Sequence, residues 1–209
     1  MFHDRHQAAR QLAEQLKPWQ GKNPLILAIP RGAVPMGRVI ADLLDGELDV
    51  VLVRKLRAPR QPELAIGSIN ESGWVYLADF AALYGGSPDY LETEKNTQMA
   101  TIRQRRAQYT PIRPAINPAG RIVIVVDDGL ATGATMIAAL QSLRPCQPAK
   151  LICAVPVAPP DTLASVAALA DRVVCLETPA HFSAVGQFYR HFEQVEDAEV
   201  IKILKGGES

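Results

Sequence analysis

Apolar residues recur at helical spacing in some stretches and as short continuous runs in others, and the switches between the two mark the elements. Between Asp4 and Lys17, Ala8, Leu12, Ala13 and Leu16 share one face, which predicts an amphipathic helix stopped by Pro18. Leu25 to Ile29 is a short apolar strand, Pro30-Arg31-Gly32-Ala33-Val34-Pro35 a constrained loop, and Met36 to Leu44 a helix. Val50 to Val53 is a second strand ending at Arg54 and Lys55. That order is a βαβ unit, which calls for a right-handed crossover and parallel pairing. Farther on, Ile122-Val123-Ile124-Val125-Val126 predicts a strand covered on both faces, because β-branched residues suit a buried pleated surface. A helix over 133–143, a strand over 150–155, a helix over 160–169 and a strand over 172–176 continue the alternation. The tail holds an aromatic cluster (Phe182, Phe188, Tyr189, Phe192), read as core rather than as a stacking platform, and a short helix near Asp197 to Leu204. The predicted fold is α/β: three layers, a mostly parallel central sheet with helices on both faces, and a small hood.

The hood comes from residues 56–120, where the rhythm breaks. Leu56 to Glu63 holds two prolines and two arginines without an apolar period, so an exposed, mobile loop is expected. Ala65 to Asn70 and Trp74 to Leu77 flank Glu71-Ser72-Gly73, a β-hairpin pattern. Ser87-Pro88 starts a long helix, Asp89 to Tyr109, which ends before Pro111. Arg103, Arg105 and Arg106 crowd its last turns and read as a solvated face that suits a helix C-terminus. The whole of 1–209 is expected to be one domain carrying this insertion.

Composition narrows the function classes. With 22 Lys plus Arg against 22 Asp plus Glu, no global charge draws the chain to nucleic acid or to a membrane, so any phosphate affinity must be local. Cys146, Cys153 and Cys175 form no C-x-x-C pair, and His3 and His6 find no further ligand, so no metal site is expected from them. The polar N-terminus has no signal-peptide pattern and no stretch reaches membrane-spanning length, which makes the cytoplasm the expected compartment.

Chemistry concentrates at three predicted strand ends, where an open parallel sheet binds its ligands. The segment Asp127-Asp128-Gly129-Leu130-Ala131-Thr132-Gly133-Ala134-Thr135 feeds a helix N-terminus, whose free N–H groups and positive dipole end attract an anion. Thr132 and Thr135 add hydroxyls, and Gly133 lets backbone close around phosphate oxygens. Paired carboxylates just upstream suit a polyol or a hydrated magnesium ion. A phosphorylated sugar combines both needs. Arg31-Gly32, fenced by Pro30 and Pro35, offers a cation and exposed amides to a dense anion, and Arg54-Lys55 adds two more cations.

The thirteen residues Val123 to Thr135 resemble the signature of the type I phosphoribosyltransferases, with Gly129 the least usual position. The resemblance implies magnesium-dependent transfer of a phosphoribosyl group from phosphoribosyl pyrophosphate to a nitrogenous base. In that family the Thr132–Thr135 turn, with Ala131, holds the 5′-phosphate, and Asp127 and Asp128 contact the ribose. Arg31 and Gly32 belong to the pyrophosphate loop, and Arg54 and Lys55 to a mobile catalytic loop reinforced by Arg57 and Arg60. Magnesium is bound mainly through the substrate, and a homodimer is compatible with the family. His181 to Gly186 faintly resembles the base-stacking segment of hypoxanthine-type members, but Gln187, Phe188 and Tyr189 replace the purine-reading acid, which leaves the acceptor open. The competing class is a non-catalytic protein that senses the same ligand, against which the Arg54–Lys55 pair argues. No P-loop, dinucleotide or G-x-S-x-G motif is present.

Overall fold

The computed structural model describes residues 1–110 and 115–206. In chain order, α1 (Arg5–Leu16), β1 (Leu25–Ala28), α2 (Ala33–Leu44) and β2 (Glu47–Val50) come first. β3 (Val53–Ala58), β4 (Gln61–Asn70), β5 (Val75–Leu77) and α3 (Pro88–Tyr109) follow. The chain then runs through β6 (Ile122–Val126), α4 (Ala134–Leu143), β7 (Lys150–Val157), α5 (Pro160–Ala167), β8 (Arg172–Glu177) and α6 (Asp197–Leu204).

Five strands form a parallel sheet in the order β2-β1-β6-β7-β8. Side chains alternate across it with the strand period of two. Ile26, Ala28, Ile124, Val126, Ile152 and Ala154 share one core with Leu12 and Leu16 of α1 and Ile40 and Leu44 of α2. Leu25, Leu27, Val123, Val125, Leu151 and Cys153 share the other with Met136, Leu140 and Leu143 of α4 and Val166 of α5. Such strands need apolar residues at every position, and each fully buried aliphatic side chain contributes about 1.5–3 kcal/mol. The three-layer α/β arrangement is therefore as predicted.

The strand order also creates the site. β1 and β6 are neighbours at the middle of the sheet, yet α2 leaves β1 toward one face and α4 leaves β6 toward the other. The connections diverge and open a crevice at the carboxyl ends of the two strands.

The second strand is where the sequence reading fails. Val50 to Val53 is not one strand: the Val51 N–H still donates to Ala28 O (3.1 Å), after which the chain leaves the parallel sheet. Val53 pairs instead with Asn70 in a separate antiparallel sheet, β3-β4-β5. The break was hidden because apolar residues run unbroken across it. Arg54 and Lys55 consequently lie within β3, paired with Ile69 and Ser68, and not at a strand end. Leu56 to Glu63, expected as a loop, spans the rest of β3 and the start of β4 around the turn at Pro59-Arg60. Leu56 and Ala58 are buried while Lys55 and Arg57 are exposed, a two-residue alternation too short to stand out beside the prolines. The β4–β5 hairpin and α3, with Ser87 Oγ accepting from the Tyr90 N–H, are as predicted.

Arg106 also departs from expectation. It is not solvated: its Nη1 donates to Asp49 Oδ1 (2.7 Å), its Nε to Glu71 Oε1 (2.6 Å) and its Nη2 to Val50 O (3.0 Å). The guanidinium thereby ties α3 to the end of β2 and to the β4–β5 turn. α2 begins earlier than predicted, at Ala33, with Pro35 inside its first turn, where a missing N–H costs no helix bond.

Candidate active site

The loops after β1 and β6 meet directly. A Cβ built on Gly32 would lie 2.2 Å from Asp128 Oδ2 and 3.2 Å from Arg5 Nη2, so only glycine allows this approach. Gly32 caps α2, where the Arg31 carbonyl accepts from the Val34 N–H (3.1 Å). Gly133 caps α4 with φ of 70°, a left-handed conformation that favours glycine, and a Cβ there would meet Thr162 Cγ2 at 2.7 Å. Thr132 Oγ1 accepts from the Ala134 N–H (3.4 Å), and Ala131 O accepts from Thr162 Oγ1 (2.8 Å). The acid pair and the α4 mouth therefore sit on one continuous turn.

Asp127 and Asp128 are not equivalent. Arg5, from the start of α1, donates to Asp128 Oδ2 from both Nε (3.0 Å) and Nη2 (2.8 Å), and Nη1 donates to Glu193 O (2.6 Å). The same guanidinium lies 3.9 Å from the centre of the Phe192 ring. Tyr189, stacked on Phe192, donates its hydroxyl to Asp128 O (2.6 Å). Asp127 accepts only the neighbouring Asp128 N–H (2.9 Å) among the described residues. Burial pushes the Asp127 carboxyl well above the usual carboxylate range, the Asp128 charge adds to that, and the backbone N–H and Arg5 oppose it. Burial also raises Asp128, with the Arg5 charge and hydrogen bonds pulling the other way. The result is one carboxylate with a cation and one beside it in need of a positive or hydroxyl-bearing ligand.

Of the remaining sequence candidates, Pro30, Arg54, Lys55 and Thr135 line one polar cavity of about 290 Å³ beside the α4 mouth. Arg31 is not among its lining residues. Its Nη1 faces Glu196 Oε2 (3.6 Å) and Asp197 Oδ2 (3.8 Å) instead. Of the tail aromatics read as core, Tyr189 is buried, and Phe182 and Phe188 are half-buried and pack on each other (5.1 Å) and against the core. Phe192 departs from that reading, being exposed with the Arg5 guanidinium over its ring. His3 rests on His191 (4.9 Å) and bonds Asp4. Sequence reasoning missed Arg5, and it placed Tyr189 in the tail cluster without foreseeing its hydrogen bond to Asp128. Arg5 is one polar residue at the start of an amphipathic helix, and nothing local distinguishes it.

Comparison with known proteins bears on the same segments. The family model for the phosphoribosyl transferase domain matches residues 2–193. Two Mycobacterium tuberculosis proteins, from strains CDC 1551 / Oshkosh and H37Rv, each provisionally named a phosphoribosyl transferase, are 44% identical to this chain over 208 residues. The matches take in 98% of this chain and 46% of each relative, so the chain spans a little under half their length. The crystal structure of TT1426 from Thermus thermophilus is 42% identical, with a TM-score of 0.88, covering 100% of this chain and 99% of that one. Among the described residues no helix is long and apolar enough to cross a membrane.

Proposed function

Since the chain belongs to the phosphoribosyl transferase family, we propose that it catalyses magnesium-dependent transfer of a phosphoribosyl group from phosphoribosyl pyrophosphate to a nitrogenous base, releasing pyrophosphate. The observation that carries this reading is the contact of Gly32 with Asp128, which joins the two strand-end loops beside the α4 mouth.

In this reading Ala131 to Thr135 grip the 5′-phosphate. The first N–H groups of α4 have no intrahelical partners, and the positive end of the helix faces the anion. Asp127 and Asp128 hold the ribose hydroxyls. As the C1–oxygen bond loosens, the ring gains positive charge, which the carboxylates stabilise. The acceptor nitrogen forms the new bond to C1 with its lone pair and gives up its proton to solvent, and pyrophosphate leaves with the electrons of the broken bond. Arg54 and Lys55 stabilise the charge that collects on it. Arg5 and Gly32 fix the Asp128 carboxylate so that it does not reorient during the step.

The residues present fit magnesium. Among the described residues no group of three or more His, Cys, Asp or Glu side chains could cage a metal ion. Two successive carboxylates, only one of them neutralised by an arginine, suit an ion that keeps water and substrate oxygens in its shell. Asp127 and Asp128 would hold it, and the ion supplies charge neutralisation on the diphosphate.

One observation favours the second reading, a ligand sensor without turnover. Arg54 and Lys55 sit in a paired strand and not on a free loop, so water exclusion by a closing lid is not built into them. Pyrophosphate release measured across a panel of bases tests the choice. Product with any base supports transfer. Tight binding of phosphoribosyl pyrophosphate with no reactive acceptor supports sensing.

A further inference from the structure

The cavity beside the α4 mouth is lined by more cations than the sequence candidates provide. Arg57 of β3 and Arg105 of α3 join Arg54 and Lys55 around it, and no carboxylate lines it. Among the described residues none of the four side chains forms an ion pair, whereas Arg106, next along the helix, pairs with both Asp49 and Glu71. Glu94 of α3 accepts from the Arg57 N–H (3.2 Å) and from Gln98 Nε2 (3.0 Å), and Gln98 Oε1 accepts from Arg54 Nε (2.9 Å). Burial, then the charges of Arg105 and Arg57, hold the Arg54 guanidinium below its ordinary pKa, with Glu94 opposing. Crowded like charges cost stability unless a counter-charge occupies the space between them, and such conflicts are tolerated mainly at functional sites.

The geometry selects the ligand. Three guanidinium groups offer planar forks that match phosphate oxygens, and Thr135 adds a hydroxyl. No aromatic side chain lines the space to stack a base. A volume of about 290 Å³ holds a compact anion and little more. Arg31, the obvious candidate for such a ligand, is turned toward Glu196 and Asp197.

We infer that Arg57 and Arg105 complete, with Arg54 and Lys55, an anion site for a ligand of the diphosphate class, adjoining the α4 mouth through Thr135. The inference deepens the transfer reading and rests on it only for the source of the ligand. The pyrophosphate of the ribosyl donor and a free phosphorylated effector share this chemistry.

Calorimetric titration of the full chain with inorganic pyrophosphate in magnesium-free, low-salt buffer tests it. The expected result is binding by the unmodified chain, weakened about tenfold or more in Arg57→Gln and in Arg105→Gln, as for loss of a charge-assisted bond. Arg103→Gln, on the same helix but exposed and outside the cavity, should bind as the unmodified chain does. Without ligand, Arg105→Gln should melt no lower than the unmodified chain, because it removes a like-charge neighbour of Arg54. Absence of pyrophosphate binding, affinity in the two cavity variants equal to that of the unmodified chain, or an equal loss in Arg103→Gln overturns the inference. Competition identifies the source: displacement by phosphoribosyl pyrophosphate assigns the site to the donor, and simultaneous binding assigns it to a separate effector. Pyrophosphate binding that depends on Arg105, in a chain that neither binds nor turns over the donor, would remove the transfer reading and leave the anion site standing. Normal turnover with binding indifferent to Arg57 and Arg105 would do the reverse.

Discussion

Arg5 and Asp128 lie 123 residues apart in the chain, yet two nitrogens of the one guanidinium donate to a single oxygen of the other, Oδ2. Their side chains are only 12% and 16% exposed, so neither charge is well solvated without its partner. Removing one partner leaves a largely buried charge uncompensated, which is the costly case for ion pairs. Arg5→Met should therefore destabilise the fold by about 3 kcal/mol, read from urea unfolding. Because the cost comes from the stranded carboxylate, the double variant Arg5→Met/Asp128→Asn should be less destabilised than the sum of its parts. Strictly additive effects would rule out the coupling.

Asp128→Asn alone bears on chemistry. The amide keeps an oxygen for Arg5 but loses the negative charge proposed to stabilise the ribosyl ring. Turnover is expected to fall by about two orders of magnitude, the scale of a lost electrostatic catalytic group. Circular dichroism should show the fold retained. Near-normal turnover would remove Asp128 from the mechanism.

Gly32→Ala probes the contact between the two loops. Its methyl would stand 2.2 Å from Asp128 Oδ2, so the carboxylate or the loop must shift. A stability loss of about 1–3 kcal/mol is expected from overpacking. Affinity for phosphoribosyl pyrophosphate should drop at the same time. Unchanged donor affinity, measured by calorimetry, would show that the approach of the loops does not shape the site.

Tyr109 offers a test of the packing between α3 and α6. Its hydroxyl donates to Asp197 Oδ1 (2.6 Å). Burial, then this hydrogen bond, push its pKa up to about 12. An unfolded tyrosine ionises near pH ~10, so the folded chain holds the proton longer than the unfolded one does. The stabilisation is complete below that pH and is lost as pH rises toward about 12. Stability curves of the unmodified chain and Tyr109→Phe should therefore converge across that alkaline window. Parallel curves would show that Tyr109 does not titrate in this way.

The legible parts of the chain were those whose physics is local. Ile122 to Val126, the acid pair and the small-residue turn that follows are contiguous, so strand, loop and helix mouth could be read from one segment. The alternating βα pattern led to the parallel sheet for the same reason. The hairpin of β3 and β4 was not legible, because Pro59, Pro62 and the arginines obscure a short alternation of buried and exposed residues. Arg105 and Arg106 are adjacent in one basic cluster, yet one lines a cavity and the other is locked between Asp49 and Glu71.

Residue order alone thus determined an α/β chain with a phosphate-suited helix mouth beside two acids, since backbone preference and hydrophobic period act over neighbouring positions. Folding decided which of the acids acquires an arginine, which way Arg31 turns, and which cations gather around one cavity. Those outcomes depend on groups far apart in the chain, and only the packing of α1, α3 and the small antiparallel sheet around the crevice brings them within reach of one another.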